Sequence, residues 1–383
     1  MYFVHPQIKY SKESFLNLLY GFLNVKGSDL ELKNYFKQFL GKDFSIAFLD
    51  MGRTAFSLAV EQFNLQNSKI IFPAFLCDIF YPYIKKYNID PVFVDAAINN
   101  FNMSLEDLKN KYSPKIKAIF VVHTFGEYLP INKVREIVGD KTIIIEDCAH
   151  RLFGPQGDIG GKEGDAIIFS FYKHLPCARG GALALRNKDI ENLQLKHTTF
   201  TMRDFLSLLN HIPFFANLFR KLGGGAAKKY QKKEKFFEPV GLCRASKNLA
   251  YFFVEDFRKT IENRVYLANV FKKELEKLGF VMQDAENSSF CFLSGLMPEN
   301  LADKRDDFVV GLRKYNIFCT RIWKDPIILN DELIQDLKIN TSEFQNTLEI
   351  SKRIINFPLQ NHYTEKDIYK MIYFTRKQLE LLK

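Results

Sequence analysis

Two segments of the sequence place reactive side chains just after predicted strands. Asp147 follows the apolar run 143–145, and a carboxylate there can hold a proton on the nitrogen of a heterocycle, which makes that ring an electron sink. Ser170 and Lys173 place a hydroxyl and an amine three residues apart after the run 167–169. Because a partly desolvated lysine loses its proton more readily, Lys173 could form a Schiff base.

A third segment, 50–55, runs from a predicted strand through Gly52 into a helix start. The free N–H groups and the dipole of a helix N-terminus suit a phosphate group. Together the three segments contain the parts that pyridoxal phosphate requires: a phosphate cradle, an acid for the ring nitrogen and an imine-forming lysine.

The elements that would position these groups are predicted from hydrophobic pattern. Short, continuous apolar runs predict buried strands at 45–49, 69–72, 91–94, 117–122, 142–145, 166–170 and 181–185. Helical patterns occupy the intervals at 53–63, 76–87, 105–111 and 131–138. This alternation predicts an α/β fold with a mostly parallel central sheet covered by helices on both faces. In such sheets, ligands bind beyond the carboxyl ends of the strands.

The remainder of the chain has a different character. Helical patterns are predicted over 12–40, over 201–222 with a kink at Pro213, and over 247–278. After 280, short strand-like and helical segments alternate. We therefore expect a large cofactor-binding domain, 1–250, which carries an insert at 201–236, and a smaller C-terminal α+β domain, 251–383.

Composition excludes several classes of protein. The chain has 383 residues, 47% hydrophobic and 26% charged, with net charge +10, so it is neither disordered nor fibrous and favours anionic partners. Its six cysteines show no zinc-type spacing, which predicts free thiols, no metal site and a cytoplasmic location. We see no signal peptide and no membrane-spanning run. A nucleic-acid partner is not expected, because the basic residues form one short run without interleaved aromatics.

Several motifs occur in the order and spacing typical of one family. They are GRT (52–54), PVFVDA (91–96), KAIFVVHTFG (117–126), IIIEDCAHRLFG (143–154), GDAIIFSFYK (164–173) and RGGALAL (179–185). This order resembles the fold type I pyridoxal-phosphate enzymes, most closely the DegT/DnrJ/EryC1/StrS sugar aminotransferases. The resemblance covers about residues 45–190 and resumes weakly at 263–275 and 354–368.

The resemblance implies roles for individual residues. Lys173 would form the Schiff base with the cofactor and move the proton during transamination, and Asp147 would pair with the ring nitrogen. His150 would lie near the phenolic oxygen of the cofactor. The remaining implied contacts are Ser170 and the backbone at Gly52, Arg53 and Thr54, all to the phosphate, and His123 near the cofactor.

The sequence also departs from the family pattern. The spacing between Ser170 and Lys173 is two residues shorter than usual, and Cys77 stands where an aromatic ring would cover the cofactor, with Phe75 as a substitute. The segment 241–246 lacks the usual asparagine that reaches the partner subunit. His174 follows Lys173, and some members use histidine in place of that lysine to run dehydration.

The family implies an aminotransferase that acts on a nucleotide-linked keto-sugar for surface polysaccharide or lipopolysaccharide biosynthesis. An amino acid such as glutamate would be the donor, and the enzyme would be a homodimer. Two alternatives stay open: a pyridoxamine-phosphate-dependent sugar dehydratase, and a non-catalytic homologue that acts as a binding protein.

The insert leaves a choice of partner open. Its apolar stretch 205–221 would pack beneath a flap or against a dimer partner, or alternatively make weak contact with an anionic membrane through 205–235. Arg321 and the lysines at 228–235 are candidates for contact with a diphosphate.

Overall fold

The computed structural model describes residues 1–9, 11–22, 28–222, 235–284 and 286–382. The strands are β1 (Tyr2–Phe3), β2 (Phe44–Leu49), β3 (Lys69–Pro73), β4 (Asp90–Val94), β5 (Ile116–Val122), β6 (Ile143–Cys148), β7 (Ala166–Ser170), β8 (Gly181–Arg186), β9 (Val281–Met282), β10 (Leu293–Leu296), β11 (Ile317–Phe318) and β12 (Ile354–Phe357). The helices are α1 (Lys12–Phe22), α2 (Ser28–Leu40), α3 (Gly52–Gln62), α4 (Tyr81–Lys86), α5 (Leu105–Lys111), α6 (Ile131–Val138), α7 (Met202–Leu209), α8 (Pro213–Leu222), α9 (Arg244–Lys259), α10 (Ile261–Lys277), α11 (Arg305–Leu312), α12 (Asp331–Leu337), α13 (Gln345–Arg353) and α14 (Glu365–Glu380).

The main sheet has seven strands in the order β2-β8-β7-β6-β5-β3-β4 within the described ranges. The strands β7, β6, β5, β3 and β4 pair in parallel, and β8 is antiparallel to both of its neighbours. Both faces are covered: along β5, Phe120 packs into one apolar core and Ile119 into another. The predicted α/β fold with a mostly parallel sheet is therefore confirmed.

A smaller antiparallel sheet, β12-β10-β9, forms the centre of the C-terminal part. It shares an apolar core with residues of α10, α11 and α14. The strand β1 pairs with β11, so the chain start is fixed to this part, and the predicted boundary at 250 falls inside α9. The division into domains 1–250 and 251–383 stays a prediction.

Of the three long helical stretches predicted, 247–278 is interrupted where no break was expected, and 201–222 is interrupted at the predicted position, Pro213. The pattern over 247–278 forms α9 and α10, separated at Thr260, whose hydroxyl donates to the backbone carbonyl of Asp256 at 2.7 Å. The stretch 201–222 forms α7 and α8, and α8 begins at Pro213 because proline lacks the N–H that a continuous helix needs. Within 12–40 the structure describes α1 and α2 as predicted helical segments, and residues 23–27 lie outside the described ranges.

The structure describes only part of the predicted insert. The glycines at 223–225 and the lysines Lys228, Lys229, Lys232 and Lys233 lie outside the described residues. The helices α7 and α8 are described. In the described parts of the chain, no helix combines the length and apolarity needed to cross a lipid bilayer.

Candidate active site

The parallel strands β5, β6 and β7 end side by side and bring Asp147 to the centre of one sheet edge. Its neighbours in register are Val122 and Ile168. Only 5% of Asp147 is exposed, and its Oδ1 accepts the N–H of Ala149 at 2.8 Å. Burial raises the pKa of Asp147, whereas the nearby charge of Lys173 acts in the opposite direction. A cation placed against this carboxylate would relieve the cost of its burial.

Lys173 reaches the same edge from the adjacent strand. β7 ends at Ser170, and a short 3₁₀ turn, Phe171–Lys173, follows it. The Nζ of Lys173 lies 2.9 Å from Nε2 of His150. The two candidates are therefore in direct contact despite the shortened spacing between Ser170 and Lys173.

The hydrogen bonds of His150 define its protonation. Its Nδ1 accepts the N–H of Phe125 at 3.2 Å, so the ring proton of the neutral imidazole must sit on Nε2. Burial lowers the pKa of His150 well below its usual value. Nε2 of His150 therefore faces the amine of Lys173, so a neutral imidazole lies beside the group that would form the Schiff base.

The N-terminus of α3 forms the neighbouring wall. Its N-cap, Met51, makes no side-chain capping bond, and a helix start of this kind is suited to an anion. A Cβ built on Gly52 would lie 3.9 Å from Cβ of Ser170, and one built on Gly181 would lie 2.9 Å from the nitrogen of Gly52. The hydroxyl of Thr54 bonds back to Asp50, at 2.9 Å, so the backbone of Thr54 rather than its side chain is suited to an anion.

These groups fit pyridoxal phosphate by their chemistry. The cofactor needs an amine for its carbonyl, a carboxylate for its ring nitrogen and an anion site for its phosphate. Lys173, Asp147 and the N-terminus of α3 are groups of these three kinds. Ser170 is buried, with 2% of its surface exposed, and stands beside Gly52 at the start of α3.

Two side chains named in the sequence analysis contact other groups of the protein. The guanidinium of Arg53 lies 4.9 Å from the ring centre of Phe237. The half-buried thiol of Cys77 lies 3.8 Å from Oδ1 of Asp78. Neither observation tests the predicted roles of Arg53 and Cys77, which stay predictions.

His123 is held by a separate buried network. Its Nδ1 accepts the N–H of Leu129 at 3.1 Å, so its Nε2 carries the proton and points to Oε2 of Glu146 at 3.4 Å. Glu146 also accepts the N–H of Glu163 at 2.8 Å. Although His123, Glu146 and Cys148 bring their ligand atoms within 4.8 Å of one another, hydrogen bonds already occupy the imidazole and the carboxylate. A direct contact of His123 with the cofactor stays a prediction.

Two further residues from the sequence analysis are engaged elsewhere. Arg321 forms an ion pair with Asp306. His174 donates from Nε2 to the carbonyl of Ala149 at 3.1 Å, and burial lowers the pKa of His174 to about 3. His174 is therefore neutral and weakly suited to proton transfer.

The structure contains an aromatic cluster around His150 that the sequence did not predict. Trp323 lies 5.0 Å from the ring centre of His150, and Phe292 lies 5.2 Å from it, edge-on. Phe125 stacks on His150 at 5.7 Å, with 20° between the planes. Only one signal was visible beforehand, namely that Trp323 is the single tryptophan of the chain.

Comparison with known proteins gives concordant results. The model of the DegT/DnrJ/EryC1/StrS aminotransferase family matches residues 21–374. GDP-perosamine synthase of Vibrio cholerae is 29% identical over 143 residues, which is 36% of this chain and 39% of that enzyme. GDP-4-keto-6-deoxy-D-mannose 3-dehydratase of Yersinia pseudotuberculosis is 22% identical over 317 residues, 78% of each chain. A Streptococcus pneumoniae protein described as a sugar aminotransferase, Spr1654, solved in its PMP form, superposes with a TM-score of 0.76 at 14% identity over 99% of both chains. At that identity the superposition establishes the fold.

Proposed function

Because the chain belongs to the DegT/DnrJ/EryC1/StrS aminotransferase family, whose members are pyridoxal-phosphate-dependent sugar aminotransferases, we propose that its acceptor is a nucleotide-linked keto-sugar. The observation that carries the assignment of the site is the meeting of Lys173, His150 and Asp147 at one sheet edge, beside the N-terminus of α3. The donor in this proposal is an amino acid such as glutamate.

The residues of the chain divide the work as follows. Pyridoxal phosphate supplies an electron sink that stabilises negative charge on the carbon that loses its proton. Asp147 keeps a proton on the ring nitrogen. The Nζ of Lys173 takes a different proton from one carbon atom and delivers it to another, which is the proton transfer of transamination. Nε2–H of His150 orients the amine of Lys173. Ser170 and the first turn of α3 bind the phosphate.

Two observations support a nucleotide-sugar acceptor. The names of two relatives contain a GDP-linked sugar, and the net charge of +10 favours a diphosphate. A product of this kind is a building block for surface polysaccharide or lipopolysaccharide, which is the role that we propose.

The test is a two-stage assay with purified protein and pyridoxal phosphate. Glutamate should first convert the cofactor to its amine form, and 2-oxoglutarate should appear. Keto-sugars linked to GDP, dTDP or UDP are then supplied in turn, and mass spectrometry should find one amino-sugar product. Lys173→Ala serves as the control. Glutamate turnover without amination of any of these sugars would contradict the acceptor class but not the aminotransferase assignment.

A dehydratase is the second candidate, favoured by the relative from Yersinia. Two observations weigh against it: Lys173 is retained and contacts His150, whereas His174 is neutral and bonded to Ala149. Mass spectrometry separates the two reactions, because a dehydratase product has lost water and gained no nitrogen.

We also propose a homodimer that covers the exposed apolar faces of α7 and α8. Met202, Phe205 and Phe214 are 72%, 41% and 62% exposed, which is unusual for a solvated surface. Arg179 binds Asp204 of α7 at 2.7 Å, which places α7 against the loop that follows Lys173.

Light scattering should give the mass of two chains, and Phe214→Glu should shift it towards one. A monomeric wild type that binds vesicles containing phosphatidylserine would instead support the membrane alternative.

A further inference from the structure

The loop that carries Trp323 spans the C-terminal part and the main sheet. On one side, the N–H of Ile322 donates at 2.7 Å to Oδ1 of Asn356, which lies in β12. On the other side, the N–H of Ile327 donates to the carbonyl of Leu76 at 2.7 Å. Pro326 and Cys77 form an isolated antiparallel β-bridge. The loop is thus fixed against the chain segment that follows β3.

The backbone at Trp323 is held in a conformation that bulky residues rarely adopt. Its φ is +61°, and the N–H of Lys324 bonds to the carbonyl of Arg321 at 3.2 Å. Trp323 therefore occupies the third position of a turn that usually requires glycine there. Strain of this kind persists only where the surroundings impose it, and it concentrates at functional sites.

The indole is placed close to the reactive amine. It lies 5.0 Å from the ring of His150 and 5.4 Å from the ring of Phe75. Nε2 of His150 is 2.9 Å from Nζ of Lys173. A cofactor ring attached to Lys173 must therefore bind within reach of the half-buried indole.

We propose that Trp323 supplies the aromatic contact to the pyridine ring of the cofactor that Cys77 cannot supply. A thiol presents no π-face, and the bridge between Cys77 and Pro326 brings the loop of Trp323 to this side of the site. The cofactor would thereby join the two parts of the chain. This inference concerns the cofactor alone and holds whichever sugar is the acceptor.

Four variants and one measurement test this inference. The dissociation constant for pyridoxal phosphate is measured by equilibrium dialysis for Trp323→Leu, Trp323→Phe, Phe292→Leu and the double variant Trp323→Leu/Cys77→Phe. An aromatic pair contributes modestly, so Trp323→Leu should weaken binding about three- to tenfold. Trp323→Phe and Phe292→Leu, the matched control from the same cluster, should change it less than about twofold.

The double variant is the decisive arm. If positions 77 and 323 serve the same face of the cofactor, Cys77→Phe should restore affinity to within about twofold of the wild type. A merely structural role for Trp323 would leave the double variant as weak as Trp323→Leu, and this would overturn the proposal. An unchanged dissociation constant in Trp323→Leu, with only the KM of the sugar raised, would assign the indole to the substrate and would also overturn it.

A measurement on the wild type covers the case in which Trp323→Leu does not fold. Hydroxyl-radical footprinting of the peptide that contains Trp323 should show at least about twofold protection when pyridoxal phosphate binds, because stacking removes the indole from water. Equal oxidation with and without bound cofactor would contradict the contact. A protein that binds no pyridoxal phosphate would refute both this inference and the proposed function.

Discussion

Replacing Asp147 by asparagine should raise the stability of the apoprotein and lower its activity. The pKa of Asp147 is raised by burial above the value of about 3.9 expected in an unfolded chain. Stability therefore falls as pH rises through the interval between these two pKa values, because the folded state binds the proton more tightly. At neutral pH, Asp147→Asn removes this penalty, and the gain should vanish below about pH 4.

The loss of activity follows from the same burial. At 5% exposure, an attraction between the carboxylate and a protonated ring nitrogen about 4 Å away is worth about 4 kcal/mol at an effective dielectric of about 20. Asparagine retains the shape but not the charge. If the whole attraction acts in the transition state, the half-reaction should slow by roughly a thousandfold.

The assay is a single-turnover measurement of cofactor absorbance after glutamate is added, combined with thermal unfolding of the apoprotein. Asp165→Asn is the matched control, since Asp165 lies just before the other end of β7 and pairs with Arg135 at 3.1 Å. A half-reaction within about tenfold of the wild type would remove Asp147 from the mechanism. An apoprotein less stable than the wild type at neutral pH would refute the argument from burial.

Three further predictions concern the surroundings of the site. Burial, and secondarily Asp284, raise the pKa of Glu127 from 4.5 to about 8, so the stability of the wild type should fall as pH rises across that interval. Thermal melts should show a shallower fall of stability with pH for Glu127→Gln, and an equal pH dependence in the two proteins would contradict this. A Cβ on Gly181 would lie 2.9 Å from the nitrogen of Gly52, so Gly181→Ala should weaken cofactor binding about tenfold in equilibrium dialysis. A Cβ on Gly52 would meet nothing closer than 3.5 Å, so Gly52→Ala should weaken binding less. The buried guanidinium of Arg264 donates to four oxygen atoms. Arg264→Met should therefore lower the free energy of unfolding, measured in urea, by about 3–5 kcal/mol. A change below about 1 kcal/mol would show that these hydrogen bonds contribute little to stability.

The sheet was predictable because its strands are buried on both faces. A run such as 117–122 is continuously apolar and is flanked by turn residues, so its pattern already indicates a central parallel strand. The placement of Asp147 and Lys173 followed from the rule that the ends of parallel strands meet at one edge. Local pattern and topology together sufficed for this part of the candidate site.

Other features depend on contacts between residues distant in sequence. Trp323 and His150 are separated by more than a third of the chain, and no periodicity connects them. The partner of His123 is the glutamate just before Asp147, on the opposite face of β6, which a motif cannot reveal. The break at Thr260 was missed because apolar spacing continues through it and only the backbone bond of its hydroxyl marks the end of α9.

The most direct test of the account is the identification of the residue that binds the cofactor covalently. Purified wild-type protein is incubated with pyridoxal phosphate, reduced with borohydride and digested, and the labelled peptide is sequenced by mass spectrometry. The position of Lys173 in contact with His150 and near Asp147 predicts a single label on Lys173 and none in Lys173→Ala. A label on another lysine, or an undiminished label in Lys173→Ala, would contradict the central claim.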